Sequence, residues 1–306
     1  MVKCGGTVKV IDFLFAARPM LFLPIWSIFL ISYRFLNHPR PFSINAFLVL
    51  VGASLMTAGV YYINQICDYE SDLINRKLGF LQKGFIGKRE MASAYLAVSI
   101  ISFVIGYLAG MLVFLLLLVV FLIGFFYSVP PLKLKDRPQW GLLANGIGYG
   151  VMLPMMVPGF FSEANNLPPL LAAYFLLTVS AAYLLTTIPD REGDRATGKN
   201  TLASRFSNRA LILSGVVLII LSLATSILMK QYYLIAVSAI SLLLFCYVLL
   251  RNRESAILLA CKFPILLMAL LAGYYYPPYL VFIVVLIAAT RLYYRKRFDV
   301  IYPRLG

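Results

Sequence analysis

The hydrophobic pattern is one of long apolar runs separated by short polar stretches. A helix needs roughly 20 predominantly apolar residues to cross a bilayer. On that measure ten segments stand out, at about 10–34, 46–66, 91–109, 111–129, 141–160, 168–188, 210–229, 232–250, 255–274 and 278–294. The last is the shortest and contains Arg291. No Pro/Ser-rich linker or low-complexity tract divides the chain, so residues 1–306 read as one all-α, polytopic membrane domain.

Composition strengthens this reading. Hydrophobic residues make up 61% of the chain and charged residues 13%, against about 25% charged in a soluble domain. The basic start, Met1 to Lys9, runs into an apolar stretch too long for a cleaved signal, so it reads as the first span. Cys4, Cys67, Cys246 and Cys261 are scattered, with no zinc or disulfide spacing. The single histidine, His38, precedes Pro39; mechanisms built on histidine pairs or haem ligation are not expected.

A net charge of +15 would ordinarily suggest nucleic acid. Its distribution says otherwise. With the N-terminus in the cytoplasm, of the 27 Lys and Arg only Arg34, Arg40 and Lys230 fall in loops on the far side, and Arg18 and Lys262 lie within apolar segments. Such bias marks the basic face as cytoplasmic. The positive charge is orientation signal and headgroup contact, and no nucleic-acid partner is expected. A cell membrane location follows, with the active site on the cytoplasmic side.

Half of the 12 acidic residues sit in two clusters on that face: Asp68, Glu70 and Asp72, then Asp190, Glu192 and Asp194. In each, two aspartates are four apart, which puts them on one helical face about a turn apart. Asn64 extends the first series by one turn. All five side chains offer hard oxygen, the ligand type of Mg²⁺ and the diphosphate it carries. Arg76, Lys77 and Lys199 flank the clusters and suit phosphate oxygens. A third stretch, Phe125 to Lys135, ends the fourth segment at the same face; Tyr127 offers a ring or hydroxyl there, and Lys133 a phosphate contact.

Together these stretches resemble the UbiA family of intramembrane prenyltransferases. Asn64, Asp68 and Asp72 match its first acidic element, Asp190 and Asp194 its second, and Tyr127, Pro130, Pro131 and Lys133 the stretch between. One departure is Gln65, where the family usually has Asp. The resemblance implies a nine-helix transmembrane bundle around a central cavity, which leaves 278–294 as a tenth, C-terminal segment. It also implies Mg²⁺ as cofactor, held by Asn64, Asp68, Asp72, Asp190 and Asp194. The partners are a prenyl diphosphate donor, a lipophilic acceptor and membrane lipids. Tyr127, Phe126, Tyr61 and Tyr62 are candidates to face the allylic cation, because a desolvated cation gains about 2 kcal/mol or more over a ring.

Arg18, followed by Pro19 inside the first segment, is the candidate for an acceptor carboxylate or phosphate, with Lys262 second. An aromatic acceptor of quinone-precursor type is the expectation; a glycerol-phosphate ether lipid or a polyene is the alternative. A cation-coupled transporter would place its acids near the bilayer midplane, whereas these lie at span ends beside Lys and Arg. The Asp-Gly…Ala-Arg signature of CDP-alcohol phosphotransferases is absent. A lipid-binding scaffold would have no use for two matched carboxylate pairs.

Overall fold

The structure is a computed structural model that describes residues 6–38, 40–74, 79–161, 166–196, 198–251 and 253–303. Among them, nine helices are long and apolar enough to cross a membrane. Where a bilayer surrounds the chain, backbone amides must pair within their own segment, and helices do so without a partner strand.

The first apolar segment is not one straight helix. Helix α1 (Gly6–Ala16) stops, a 3-10 turn follows at Pro19–Phe22, and α2 (Leu23–Asn37) resumes. Proline lacks the amide hydrogen that would continue α1 and disfavours a helical residue before it, and Arg18 adopts φ +57°. Then come α3 (Ile44–Cys67), a short α4 (Tyr69–Ile74), α5 (Lys88–Ala109) and α6 (Met111–Ser128).

The segment expected at 141–160 also differs from a plain span. It runs from Pro138 to Met156 as α7 (Pro138–Asn145), a π-helix (Gly146–Met152) and α8 (Leu153–Met156). It is the one apolar segment of the ten that falls outside the nine long helices, whereas 278–294 lies within a full-length helix. The glycines explain the wide turn. A Cβ at Gly150 would lie 2.5 Å from the backbone N and Cα of Leu176, so only glycine allows this close approach.

The remainder is α9 (Leu167–Thr186), α10 (Arg191–Ala196), α11 (Leu202–Arg205), α12 (Asn208–Leu228), α13 (Tyr232–Arg251), α14 (Glu254–Tyr275) and α15 (Pro277–Phe298).

The chain forms two compact units. The first takes residues 1–22, 47–133 and 284–303. Its centre is a buried ion pair between residues near opposite ends of the chain. Asp12, 1% exposed, accepts from Arg297 Nη2 at 2.7 Å and Nε at 3.0 Å, and from the Tyr293 hydroxyl. The Arg297 guanidinium lies 3.7 Å above the Phe85 ring, and Phe80 and Phe85 pack edge-on to Phe298. The loop after α4, the first helix and the last helix are thereby tied together.

The second unit takes residues 23–46, 134–283 and 304–306. Its core is built from Ala181, Leu184 and Leu185 on α9, Ile212 and Ile219 on α12, Phe245 and Val248 on α13, and Ala260 on α14, all buried. Tyr174 is fully buried and meets the Ser238 hydroxyl at 3.3 Å.

Candidate active site

In the first unit, the acidic element keeps its helical register across the α3–α4 junction. Asp68 N donates to Asn64 O at 2.9 Å and Asp72 N to Asp68 O at 2.8 Å. These bonds close successive turns, so the three side chains project from one face, as their spacing predicts. All three are half-buried. The Asn64 amide nitrogen donates to Ser128 Oγ at 3.2 Å, which fixes the end of α6 against the acidic helix. Tyr127 precedes Ser128 and is half-buried. Lys133 follows the Pro130-Pro131 pair with φ +37°, its amide donating to Val129 O at 3.1 Å. Non-glycine residues in that region cost about 1 kcal/mol or more and persist where the surroundings fix them.

Glu70, which points off the Asn64–Asp68–Asp72 face, is engaged elsewhere. Lys88 at the start of α5 meets its carboxylate at 3.3 Å and lies 3.7 Å over the Tyr69 ring. The exposed ion pair alone is worth little, but with the ring contact it ties α4 to α5. Arg76 and Lys77 lie outside the described residues.

In the second unit, Asp194 N donates to Asp190 O at 2.9 Å, so this pair too stands one helical turn apart. Asp190 is exposed and Asp194 half-buried. The Thr201 hydroxyl donates to Asp194 Oδ2 at 2.9 Å and also accepts from Ser204 N, capping α11. Lys199 N donates to Asp194 O at 2.9 Å, past a glycine, Gly198, at φ +69°.

The arginines between the acids have structural work. Arg191 donates to Ala203 O and Phe206 O, each at 2.6 Å, and Arg195 to Ser204 O at 3.2–3.3 Å. They satisfy the carbonyls at the end of α11, where a helix leaves acceptors without partners. Burial, and next the charge of Arg195, hold the Arg191 guanidinium below its ordinary pKa.

The aromatic candidates separate. The Tyr62 ring is buried and its hydroxyl donates to Phe13 O at 2.8 Å; Tyr61 stacks on Phe22 with centroids 5.9 Å apart; Phe126 is exposed and packs edge-on to Phe125. Tyr62 thus ties to the first helix and Tyr61 to the 3-10 turn after it. Arg18 is half-buried in the break after α1. Its charge opposes the effect of burial on Tyr302, whose phenol is raised above the ordinary tyrosine pKa. Lys262 is exposed on α14.

Each unit carries one registered group of the hard oxygen donors that Mg²⁺ takes: Asn64, Asp68 and Asp72 in the first, Asp190 and Asp194 in the second. Among the described residues no three His, Cys, Asp or Glu side chains form a ready-made metal cage. Ser128 and Thr201 went unassigned by sequence. Thr201 lies seven residues after Asp194 in a polar stretch that carried no periodic signal.

An all-helical polytopic membrane protein with registered aspartate pairs at its span ends is the class defined so far. Residues 21–256 match the UbiA prenyltransferase family, and the chain belongs to that family. It is an intramembrane prenyltransferase. It is 31% identical over 216 residues to the digeranylgeranylglyceryl phosphate synthase of Methanobrevibacter smithii, covering 65% of this chain and 74% of that one. It is 27% identical over 230 residues to the Sulfurisphaera tokodaii synthase of the same name, covering 70% and 78%. A UbiA homolog from Archaeoglobus fulgidus, solved bound to DMAPP and Mg²⁺, superposes with a TM-score of 0.66 at 17% identity, covering 84% of this chain and 97% of that one.

Proposed function

We propose that the protein transfers a geranylgeranyl group from its diphosphate to a glycerol-phosphate ether lipid of the geranylgeranylglyceryl phosphate type, at the cytoplasmic face of the cell membrane. The observation that carries the acceptor is the likeness to two curated relatives, both digeranylgeranylglyceryl phosphate synthases. This shifts the reading from the aromatic acceptor expected from sequence to the ether-lipid alternative. An aromatic acid and a glycerol-phosphate lipid both carry an anionic group that a cation can hold, and Arg18 suits either.

In this reading residues 1–306 act as one functional domain. Asn64, Asp68, Asp72, Asp190 and Asp194 would hold Mg²⁺, the ion with which the A. fulgidus homolog was solved. Bound there, Mg²⁺ would supply positive charge to offset that of the departing diphosphate. Lys133 and Lys199 take phosphate oxygens, and Arg76 and Lys77 are sequence-based candidates for the same role. The C1–O bond to diphosphate breaks, and the acceptor hydroxyl oxygen forms the new ether bond at C1 and releases its proton to solvent. Tyr127 presents its ring to the developing allylic cation. Arg18 holds the acceptor phosphate by charge-assisted hydrogen bonds, for which a guanidinium fork is well shaped.

The test is incubation of purified protein with labelled geranylgeranyl diphosphate and, in parallel, geranylgeranylglyceryl phosphate, a hydroxybenzoate and a dihydroxynaphthoate. Label is expected in the ether lipid alone, and EDTA should stop it. Preferential labelling of either aromatic acid would falsify the acceptor assignment.

A further inference from the structure

We propose that Gln65 is a positioning residue that sets Arg18 for the acceptor, and that its side-chain amide is the reason this position is not acidic in this chain. The proposal rests on the assignment of the acceptor phosphate to Arg18.

Gln65 lies on α3 next to Asn64 and is 5% exposed. Its Nε2 donates to Ala16 O at 2.8 Å and to Tyr61 O at 3.0 Å, so both amide hydrogens are used. Ala16 is the last residue of α1. Its carbonyl would accept from the residue four ahead in a continuing helix, but the chain turns away. A helix end buried in a membrane protein needs another donor for such a group.

Two neighbours on the same stretch of α3 serve the same break. Tyr62 donates to Phe13 O at 2.8 Å, and Tyr61 reaches Leu21 O at 3.5 Å while stacking on Phe22. Within the break, Arg18 N donates to Phe15 O and Leu21 N to Arg18 O, with Arg18 itself at φ +57°. A left-handed arginine is held by its surroundings, not by preference. One face of α3 therefore carries Asn64 and leads into Asp68 and Asp72, and the adjoining face carries the donors that shape the Arg18 turn. An aspartate at 65 would be one methylene shorter and, ionised, would accept hydrogen bonds and donate none. It would set a negative charge against the Ala16 and Tyr61 carbonyls.

The experiment uses full-length protein in detergent and the variants Gln65→Glu, Gln65→Met, Arg18→Gln and the Gln65→Met/Arg18→Gln double. Gln65→Met brings no charge into the core and serves if Gln65→Glu does not fold. Equilibrium binding of geranylgeranylglyceryl phosphate is measured in EDTA without donor, beside the KM of each substrate and hydrogen exchange at the Ala17–Leu21 amides. Leaving a buried carbonyl without a donor predicts about a tenfold loss of acceptor affinity. A matching rise in acceptor KM, an unchanged donor KM and faster exchange at Ala17–Leu21 are expected with it. The double variant should lose no more affinity than Arg18→Gln alone. Wild-type acceptor affinity in the Gln65 variants, with Arg18→Gln weakened, overturns the positioning role alone. A change in donor KM or in Mg²⁺ requirement overturns it in favour of a place in the metal site. Wild-type affinity in Arg18→Gln overturns the acceptor assignment itself.

Discussion

Replacing Arg297 by alanine should be among the most damaging substitutions outside the acidic elements. Its guanidinium gives Asp12 hydrogen bonds at 2.7 and 3.0 Å, and Asp12 is 1% exposed. Once the arginine is gone, only the Tyr293 hydroxyl remains among these partners. Stranding one partner of a buried pair costs about 3–5 kcal/mol. The lost contact with the Phe85 ring adds about 1 kcal/mol at a partly exposed site. At roughly 2–4 °C per kcal/mol for a chain of this size, the apparent melting temperature should fall by on the order of 10 °C. Differential scanning fluorimetry in detergent measures this directly. Arg297→Lys keeps the charge but not the two-pronged geometry and should fall between. The Asp12→Asn/Arg297→Gln double should recover most of the loss, because no uncompensated charge stays behind. A drop under about 2 °C for Arg297→Ala would mean the pair is worth no more than a surface salt bridge, and the account of the first unit's centre would be wrong.

Asp68→Ala and Asp194→Ala should each abolish Mg²⁺-dependent transfer while leaving the melting temperature within a few degrees; measurable turnover in either removes that aspartate from the metal set. Thr201→Val deletes both the bond to Asp194 and the α11 cap, so it should cost about 1 kcal/mol of stability and lower kcat more than Ser204→Ala does, read by side-by-side kinetics. Gly150→Ala forces a Cβ to within 2.5 Å of the Leu176 backbone and should cut the yield of folded protein in size-exclusion chromatography, whereas Gly148→Ala, with open space around its Cβ, should not.

Much of this was legible because membrane spans and helical faces are written in local pattern. An apolar run such as 210–229 has one solution in lipid, and the spacing of Asp68 and Asp72 survives into the backbone bonds that join them. What sequence missed depends on contacts between distant residues. The 10–34 run looks continuous until Gln65 and Tyr62, some fifty residues on, supply donors to its broken middle; the local hint was Arg18 before Pro19. The π-helix is set by the backbone of α9 meeting Gly150, which no hydropathy profile contains. In sequence Arg191 and Arg195 are only two of the many charges on the basic face, yet their partners are carbonyls that exist only once α11 forms. The choice of acceptor left little trace, because a phosphate and a carboxylate invite the same arginine.

The widened turn at Gly146–Met152 has a consequence for sequence length. A π-helical turn amounts to one residue more than an α-helix of the same rise would hold. Deleting a residue from an ordinary span rotates everything beyond it by about 100° and exchanges lipid-facing for inward-facing side chains. Here the surplus residue can be given up and the turn relaxes to the common helix. Relatives one residue shorter in this stretch are therefore the expected form of length variation within a span.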